Sequence, residues 1–207
     1  AHTVTLGNSH DTYSSSSTGA DLVTATAGNN TISTGDGADV IIGGTGGDNI
    51  TAGNGNDTIK FTTSNFTSAD TIDGGAGTDT IHITNAATVV DDDFTNVSNT
   101  EVLTTKADVA FTALTLGKNA SDAGVTTVTF ADTANAVDTL TVGAGFASNL
   151  TVNLDIDTSQ ANSITATNFT KNLTVVAVGA NIDGTNNPTL TGGTGTDTVH
   201  VDVVEAD

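Results

Sequence analysis

The chain has 207 residues and a formal net charge of −20, with four lysines and no arginine, so nucleic-acid binding through a basic patch is excluded. It has no cysteine, hence no disulfide framework and no thiolate-held metal. Such acidity is often a mark of disorder, but 36% hydrophobic residues and dense Val, Ile, Leu and Thr argue for β-structure, with bound cations as the staple. There is no signal peptide and no apolar run of transmembrane length. Opening at Ala1 and closing in strand-like sequence, the chain has the look of a segment from a longer protein.

Residues 1–33 form a degenerate lead-in. LGNSHDTYS (6–14) and SSTGADLVT (16–24) keep an acid at the sixth place (Asp11, Asp21), and ATAGNNTIS (25–33) has Asn30 there. The serine run 14–17 is expected to be a loop. Three nine-residue units then run end to end to Lys60: TGDGADVII, GGTGGDNIT and AGNGNDTIK. Each has Gly at its second and fourth places, Asp at the sixth (Asp39, Asp48, Asp57) and Ile at the eighth (Ile41, Ile50, Ile59).

The unit explains itself physically. Six residues rich in Gly and ending in Asp suit a turn with positive φ angles. The three that follow place one aliphatic side chain inward between two outward ones, as a strand does. Two units make one coil of a flattened solenoid, so Asp21, Asp39 and Asp57 share one edge while Asn30 and Asp48 share the other. Stacked coils sit about 4.8 Å apart. Two carboxylates about 5 Å apart repel by roughly 3 kcal/mol at an effective dielectric of 20. A cation is required between them, and all-oxygen ligation with flexible geometry suits Ca²⁺ better than Mg²⁺.

After Lys60 a four-residue insertion, FTTS, precedes NFTSADTID (65–73) and GGAGTDTIH (74–82), which restore Asp70 and Asp79. From Thr84 glycine thins out and aliphatic strands follow, with Leu103, Leu114, Val128, Leu140, Leu150, Ile164 and Leu173 as expected inward positions. Short strands at regular spacing fit a β-sandwich, or a solenoid that continues with longer, metal-free loops. No helix is expected, because no window carries a 3.6-residue period. A second block, DGTNNPTLT (183–191) and GGTGTDTVH (192–200), returns with Asp197. The expected organisation is therefore a calcium-binding roll over 1–83, a Thr-rich solenoid or sandwich over 84–180 and a second, truncated block over 181–207. For the acidic run Asp91–Asp93 the solvated turn is the ordinary reading, and metal binding the open alternative.

The nonapeptides match G-G-x-G-x-D-x-U-x and resemble the repeats-in-toxin (RTX, haemolysin-type) calcium-binding family. That resemblance implies an all-β, right-handed parallel β-roll, or β-solenoid, holding several Ca²⁺ ions. Each ion would lie between turns of successive coils, on the sixth-place Asp and turn carbonyls. Carried over by place, the expected ligands are Asp39, Asp48, Asp57, Asp70, Asp79 and Asp197, with Asp21 and Asn30 as weaker members. The carbonyls of Gly35, Gly37, Gly44, Gly46, Gly53, Gly55, Gly75, Gly77, Gly193 and Gly195 would assist. The resemblance further implies type I secretion and an extracellular location. The stretch DDDFTNVSNTEVL (91–103) and the Thr/Ala/Gly/Asn/Val-rich composition resemble secreted surface-layer (S-layer) proteins most.

A catalytic constellation is not found. The four histidines (His2, His10, His82, His200) form no HExxH signature, and His82 and His200 sit where a strand faces outward. The glycine turns lack the Lys and following helix of a phosphate loop. The expectation is thus a non-enzymatic, calcium-dependent structural segment of a cell-surface protein. Its partners would be copies of itself through the parent protein and possible cell-surface polysaccharide, without nucleic acid or membrane insertion. The rivals are a spacer or binding module of a large adhesin, and the RTX portion of a secreted toxin or hydrolase.

Overall fold

The computed structural model describes residues 1–85, 87–105, 111–131, 138–155, 162–178 and 189–202. Twenty strands lie among them: β1 (Thr3–Thr5), β2 (Thr12–Ser17), β3 (Leu22–Thr24), β4 (Thr31–Asp36), β5 (Val40–Ile42), β6 (Asn49–Asn54), β7 (Thr58–Phe61), β8 (Thr71–Ala76), β9 (Thr80–Ile83), β10 (Ala87–Val89), β11 (Val97–Ser98), β12 (Val102–Thr105), β13 (Phe111–Leu116), β14 (Thr127–Phe130), β15 (Thr139–Val142), β16 (Leu150–Asp155), β17 (Ser163–Thr165), β18 (Leu173–Val178), β19 (Thr189–Thr191) and β20 (Thr198–Asp202). Their pairings are parallel and join strands one coil apart. The protein is an all-β solenoid.

One sheet of ten strands runs through the described chain in the order β1-β3-β5-β7-β9-β12-β14-β16-β18-β20. Its central inward column, Val23, Ile41, Ile59, Ile81, Leu103, Val128, Val152 and Val175, is buried throughout. One aliphatic residue per strand suffices because each lies directly on its equivalent in the next coil. β9 pairs with β12, so the aliphatic strands continue the solenoid, and among the described residues no sandwich interrupts it. All seven expected inward residues from Leu103 to Leu173 are at most 2% exposed.

The opposite wall changes partway along. Over the glycine-rich repeats it is the five-stranded sheet β11-β8-β6-β4-β2, and beyond them the sheet β10-β13-β15-β17-β19. Between β9 and β12 the chain contributes a strand to each, so one coil ends the first wall and begins the second. Coils of 18 residues (Asp39 to Asp57) lengthen to 22 (Asp57 to Asp79) at the inserted segment. Phe61, Phe66 and Phe94 fill the added width, with ring centroids 5.6 and 5.2 Å apart. Phe146 and Phe169 repeat the device at 5.9 Å.

Three expectations need correction. Ser14–Ser17 belong to β2: Ser14 pairs with Ser33 and Ser17 with Gly35 of β4, with a shift of register between them. β4, β6 and β8 are six residues long and extend into the glycine segment, so turn and strand do not divide six to three on that wall. A short helix, α1 (Lys118–Ala123), is present. Six residues are too few to show a period. The helix is held by Asp91, whose Oδ1 accepts the N–H groups of Gly117 (2.7 Å) and Ala120 (2.9 Å) and whose Oδ2 accepts that of Asn119 (3.1 Å). Asp91 is thus engaged with backbone from the following coil. In the second block, residues 183–188 of the first unit lie outside the described residues.

Candidate metal centre

The place just before β3, β5, β7, β9 and β12 of the ten-stranded sheet carries a column of acids along one edge: Asp21, Asp39, Asp57, Asp79 and Glu101. His2 N–H donates to Asp21 Oδ1 (2.6 Å), Asp21 N–H to Asp39 Oδ1 (2.6 Å) and Asp39 N–H to Asp57 Oδ1 (2.7 Å). Asp57 N–H continues to Asp79 Oδ1 and Asp79 N–H to Glu101 Oε2, both at 2.8 Å. The other edge repeats the pattern: Asp11 N–H to Asn30 Oδ1 (3.0 Å), Asn30 to Asp48 (2.8 Å) and Asp48 to Asp70 (2.9 Å). The expected pairing of edges is therefore observed, including its resumption at Asp70 and Asp79 after the insertion.

Each link to an aspartate occupies one carboxylate oxygen; the second is taken by Thr67 N–H in Asp70 (3.0 Å) and is left over in four others. The Oδ2 atoms of Asp39, Asp48, Asp57 and Asp79 are buried and have no hydrogen-bond partner. An uncompensated buried carboxylate is among the most costly groups in a fold. Burial, aided by the Asp79 and Asp39 charges, lifts the Asp57 carboxyl to about 6 despite the N–H from Asp39. Burial also lifts Asp70 to about 6, with Asp48 adding to it and N–H groups of Asp48 and Thr67 opposing. Asp79 is raised by burial, then by Glu101 and Asp73.

Asp21 is different. Burial would raise it, but hydrogen bonds led by the His2 side chain hold it below the usual carboxylate range. His2 Nδ1 lies 3.2 Å and Tyr13 Oη 3.1 Å from its Oδ2. This carboxylate has protein donors on both oxygens.

Asn30 shows what the site demands. Its Nδ2 donates to the carbonyl of Gly28 (3.1 Å), to that of Ala27 (3.4 Å) and to Asp48 Oδ1 (3.0 Å). An amide thus supplies positive hydrogens to two turn carbonyls and the next coil's carboxylate. One coil on, Thr45 lies on Ala27 and Asp48 replaces Asn30, so every corresponding group is an acceptor. A cation fits where the amide hydrogens were. Among the described residues no three acidic or imidazole side chains converge on one point. The donor set is one carboxylate from each of two coils plus backbone oxygens, which suits a hard ion rather than zinc.

The glycines make this approach possible. Gly55 has φ +142°, and a Cβ there would overlap the Gly37 carbonyl oxygen of the preceding coil. Gly35, Gly37, Gly53, Gly75 and Gly77 on this edge, and Gly28 and Gly46 on the other, likewise have positive φ. Gly44 does not, but its Cβ would stand 2.6 Å from the Thr26 carbonyl.

Residues 15–50, 42–60 and 67–82 match the RTX calcium-binding nonapeptide repeat model, in four copies. These segments are RTX repeats. RTX repeats bind Ca²⁺, several ions across a stack, which accounts for the columns of half-satisfied carboxylates. No curated protein and no solved structure compared with the chain matches it.

Asp197 lies outside the matched RTX segments. It occupies the same column, but its neighbour one coil back is Leu173, whose N–H reaches Oδ1 at 3.1 Å; Gly193 N–H reaches Oδ2 at 3.1 Å. Gly193 and Gly195 pack on carbonyls of Phe169 and Lys171 instead of on another RTX turn. Asp197 is therefore not brought together with a second acid.

Two positions escaped the sequence reading. Glu101 continues the RTX column outside any repeat, and the signal was its distance from Asp79, the same 22 residues that separate Asp79 from Asp57. Asp138, buried on the newer wall, donates its N–H to Asn162 Oδ1 (2.9 Å) and shows the same Asp/Asn-before-strand pattern without glycines.

Proposed function

We propose that this chain is a calcium-folded structural segment of a secreted, surface-layer-type protein and performs no catalysis itself. The observation that carries the calcium part is the set of four buried Oδ2 atoms on Asp39, Asp48, Asp57 and Asp79 that no protein donor reaches. These acids, with Asp70 and the carbonyls of the glycine turns, hold the ions. In the calcium-poor cytosol the columns repel and the roll stays open. Outside the cell, at the millimolar calcium for which extracellular modules are tuned (Kd about 10⁻⁴–10⁻³ M), it closes.

The surface-layer reading is supported by the sequence resemblance and by the solenoid, whose ten-stranded sheet gives a long regular wall for contact with further copies. Self-association of the parent protein, and polysaccharide as its anchor, follow from that reading. The test is calcium titration of EDTA-treated protein, followed by circular dichroism and light scattering. β-Structure that appears together with higher-order species supports the reading. A calcium-folded monomer would replace assembly with an adhesin or toxin spacer, and a roll indifferent to EDTA would overturn the calcium switch.

A further inference from the structure

We propose that Glu101, a residue outside the nonapeptides, closes one more calcium site at the junction between the RTX roll and the aliphatic solenoid. The inference rests on the calcium reading above and extends it to a coil with no repeat in it. Glu101 receives the Asp79 N–H on Oε2 at 2.8 Å, as Asp79 Oδ1 receives that of Asp57. The last glycine-rich turn of the first block on this edge, Gly74–Asp79, therefore faces a carboxylate on its far side just as the earlier turns do.

Three observations place a cation there. Asp79 is 0% exposed and its Oδ2 has no protein partner. A Cβ built on Gly74 would stand 2.8 Å from that Oδ2 and would overlap the Asn99 carbonyl oxygen, so both oxygens converge on the bare face of one glycine. Asn99 has φ +50°, the one positive φ outside glycine among the described residues, and its Nδ2 bonds Asp73 Oδ1 at 2.7 Å. That bond holds the Asn99 turn in place. Glu101 accepts the Asp79 N–H on Oε2, and its Oε1 supplies a further oxygen.

The turn here is shorter than a nonapeptide turn. Ser98 pairs with Asp73, and only Asn99 and Thr100 separate it from Glu101. The extra methylene of glutamate, relative to aspartate, lets the carboxylate cross that gap. One coil later the column position is Thr126, which cannot supply a charge, so the series of sites ends at Glu101.

The test uses the whole chain, which contains two glutamates, Glu101 and Glu205. Protein labelled with ¹³C at the glutamate side-chain carboxyls is titrated with CaCl₂, the two resonances being assigned with E205Q. Native mass spectrometry counts the ions bound to wild type, E101Q and D57N. The expected result is a calcium-dependent shift of the Glu101 resonance and one ion fewer in E101Q, whose amide oxygen still accepts the Asp79 N–H. A Glu101 resonance unmoved at saturation, or E101Q with the full complement of ions, overturns the proposal. If D57N also keeps every ion, or wild type binds none, the calcium reading itself has failed. An unmoved Glu101 resonance in the labelled wild type refutes the proposal even if E101Q does not fold.

Discussion

Asp57 N–H donates to Asp79 Oδ1 at 2.8 Å, while Asp57 Oδ1 accepts from Asp39 N–H at 2.7 Å. Asp39, Asp57 and Asp79 thus each hold the preceding coil through Oδ1 and leave Oδ2 with no protein donor. A hydrogen-bond ladder and a row of cation sites are built from the same side chains. Substitutions that separate those two roles are the informative ones.

Replacing Asp57 with Asn keeps an acceptor for Asp39 N–H and adds an amide donor of the kind Asn30 supplies on the other edge. We expect one calcium ion fewer and a calcium-free form more stable by about 1–3 kcal/mol, the usual penalty for a buried unsatisfied group. D57A should lose both roles and destabilise both forms. Urea unfolding in EDTA and in CaCl₂ reads this. A D57N protein no more stable than wild type in EDTA would refute it.

The pH dependence of the calcium-free protein should run opposite to that of most proteins. Asp57 and Asp70 titrate near 6 in the folded chain against 3.8 in the unfolded. Between those values the folded state binds more protons, so this contribution to stability is full below about 3.8 and is lost as pH rises through about 6. The thermal midpoint in EDTA should therefore fall between pH 4 and 7. Calcium, which replaces those protons, should have its largest effect at the upper end. A midpoint that rises with pH in EDTA would show that other groups dominate.

Gly55→Ala should open the roll. The left-handed conformation costs a non-glycine residue about 1–2 kcal/mol, and a Cβ would also displace the backbone of Gly37. Gly143→Ala is the control. A Cβ there meets only the Leu116 carbonyl at 3.6 Å, and the change is expected to be neutral or stabilising by up to about 1 kcal/mol. Equal effects of the two substitutions on calcium-saturated stability would contradict the stacked-glycine geometry.

Phe94→Ala removes a fully buried ring packed edge-on against Phe66 at 5.2 Å, where the two walls exchange. The expected loss is about 3–5 kcal/mol in saturating calcium. A double-mutant cycle with Phe66→Ala should return a coupling of about 1 kcal/mol. Coupling near zero would mean that the rings fill space independently.

The nine-residue period by itself determined the solenoid, the assignment of Asp21, Asp39 and Asp57 to one edge and of Asn30 and Asp48 to the other, and the buried Ile column. A strict repeat allows each side chain only one kind of neighbour, its own equivalent one coil away. Local chemistry was legible for the same reason: glycine at fixed places means positive φ or close backbone approach, and acid stacked on acid means a cation. Tertiary structure alone decided the rest. The continuation past Thr84 depended on which strand β9 pairs with, and spacing of 9 to 14 residues between inward residues is equally compatible with neighbours in one sheet or in two. The exchange of walls, the helix under Asp91 and the engagement of Asp21 by His2 and Tyr13 arise from contacts between residues with no shared period. Glu101 lies between these cases. Its place in the column is a matter of counting, but the count means something only once the coil is known to have grown to 22 residues.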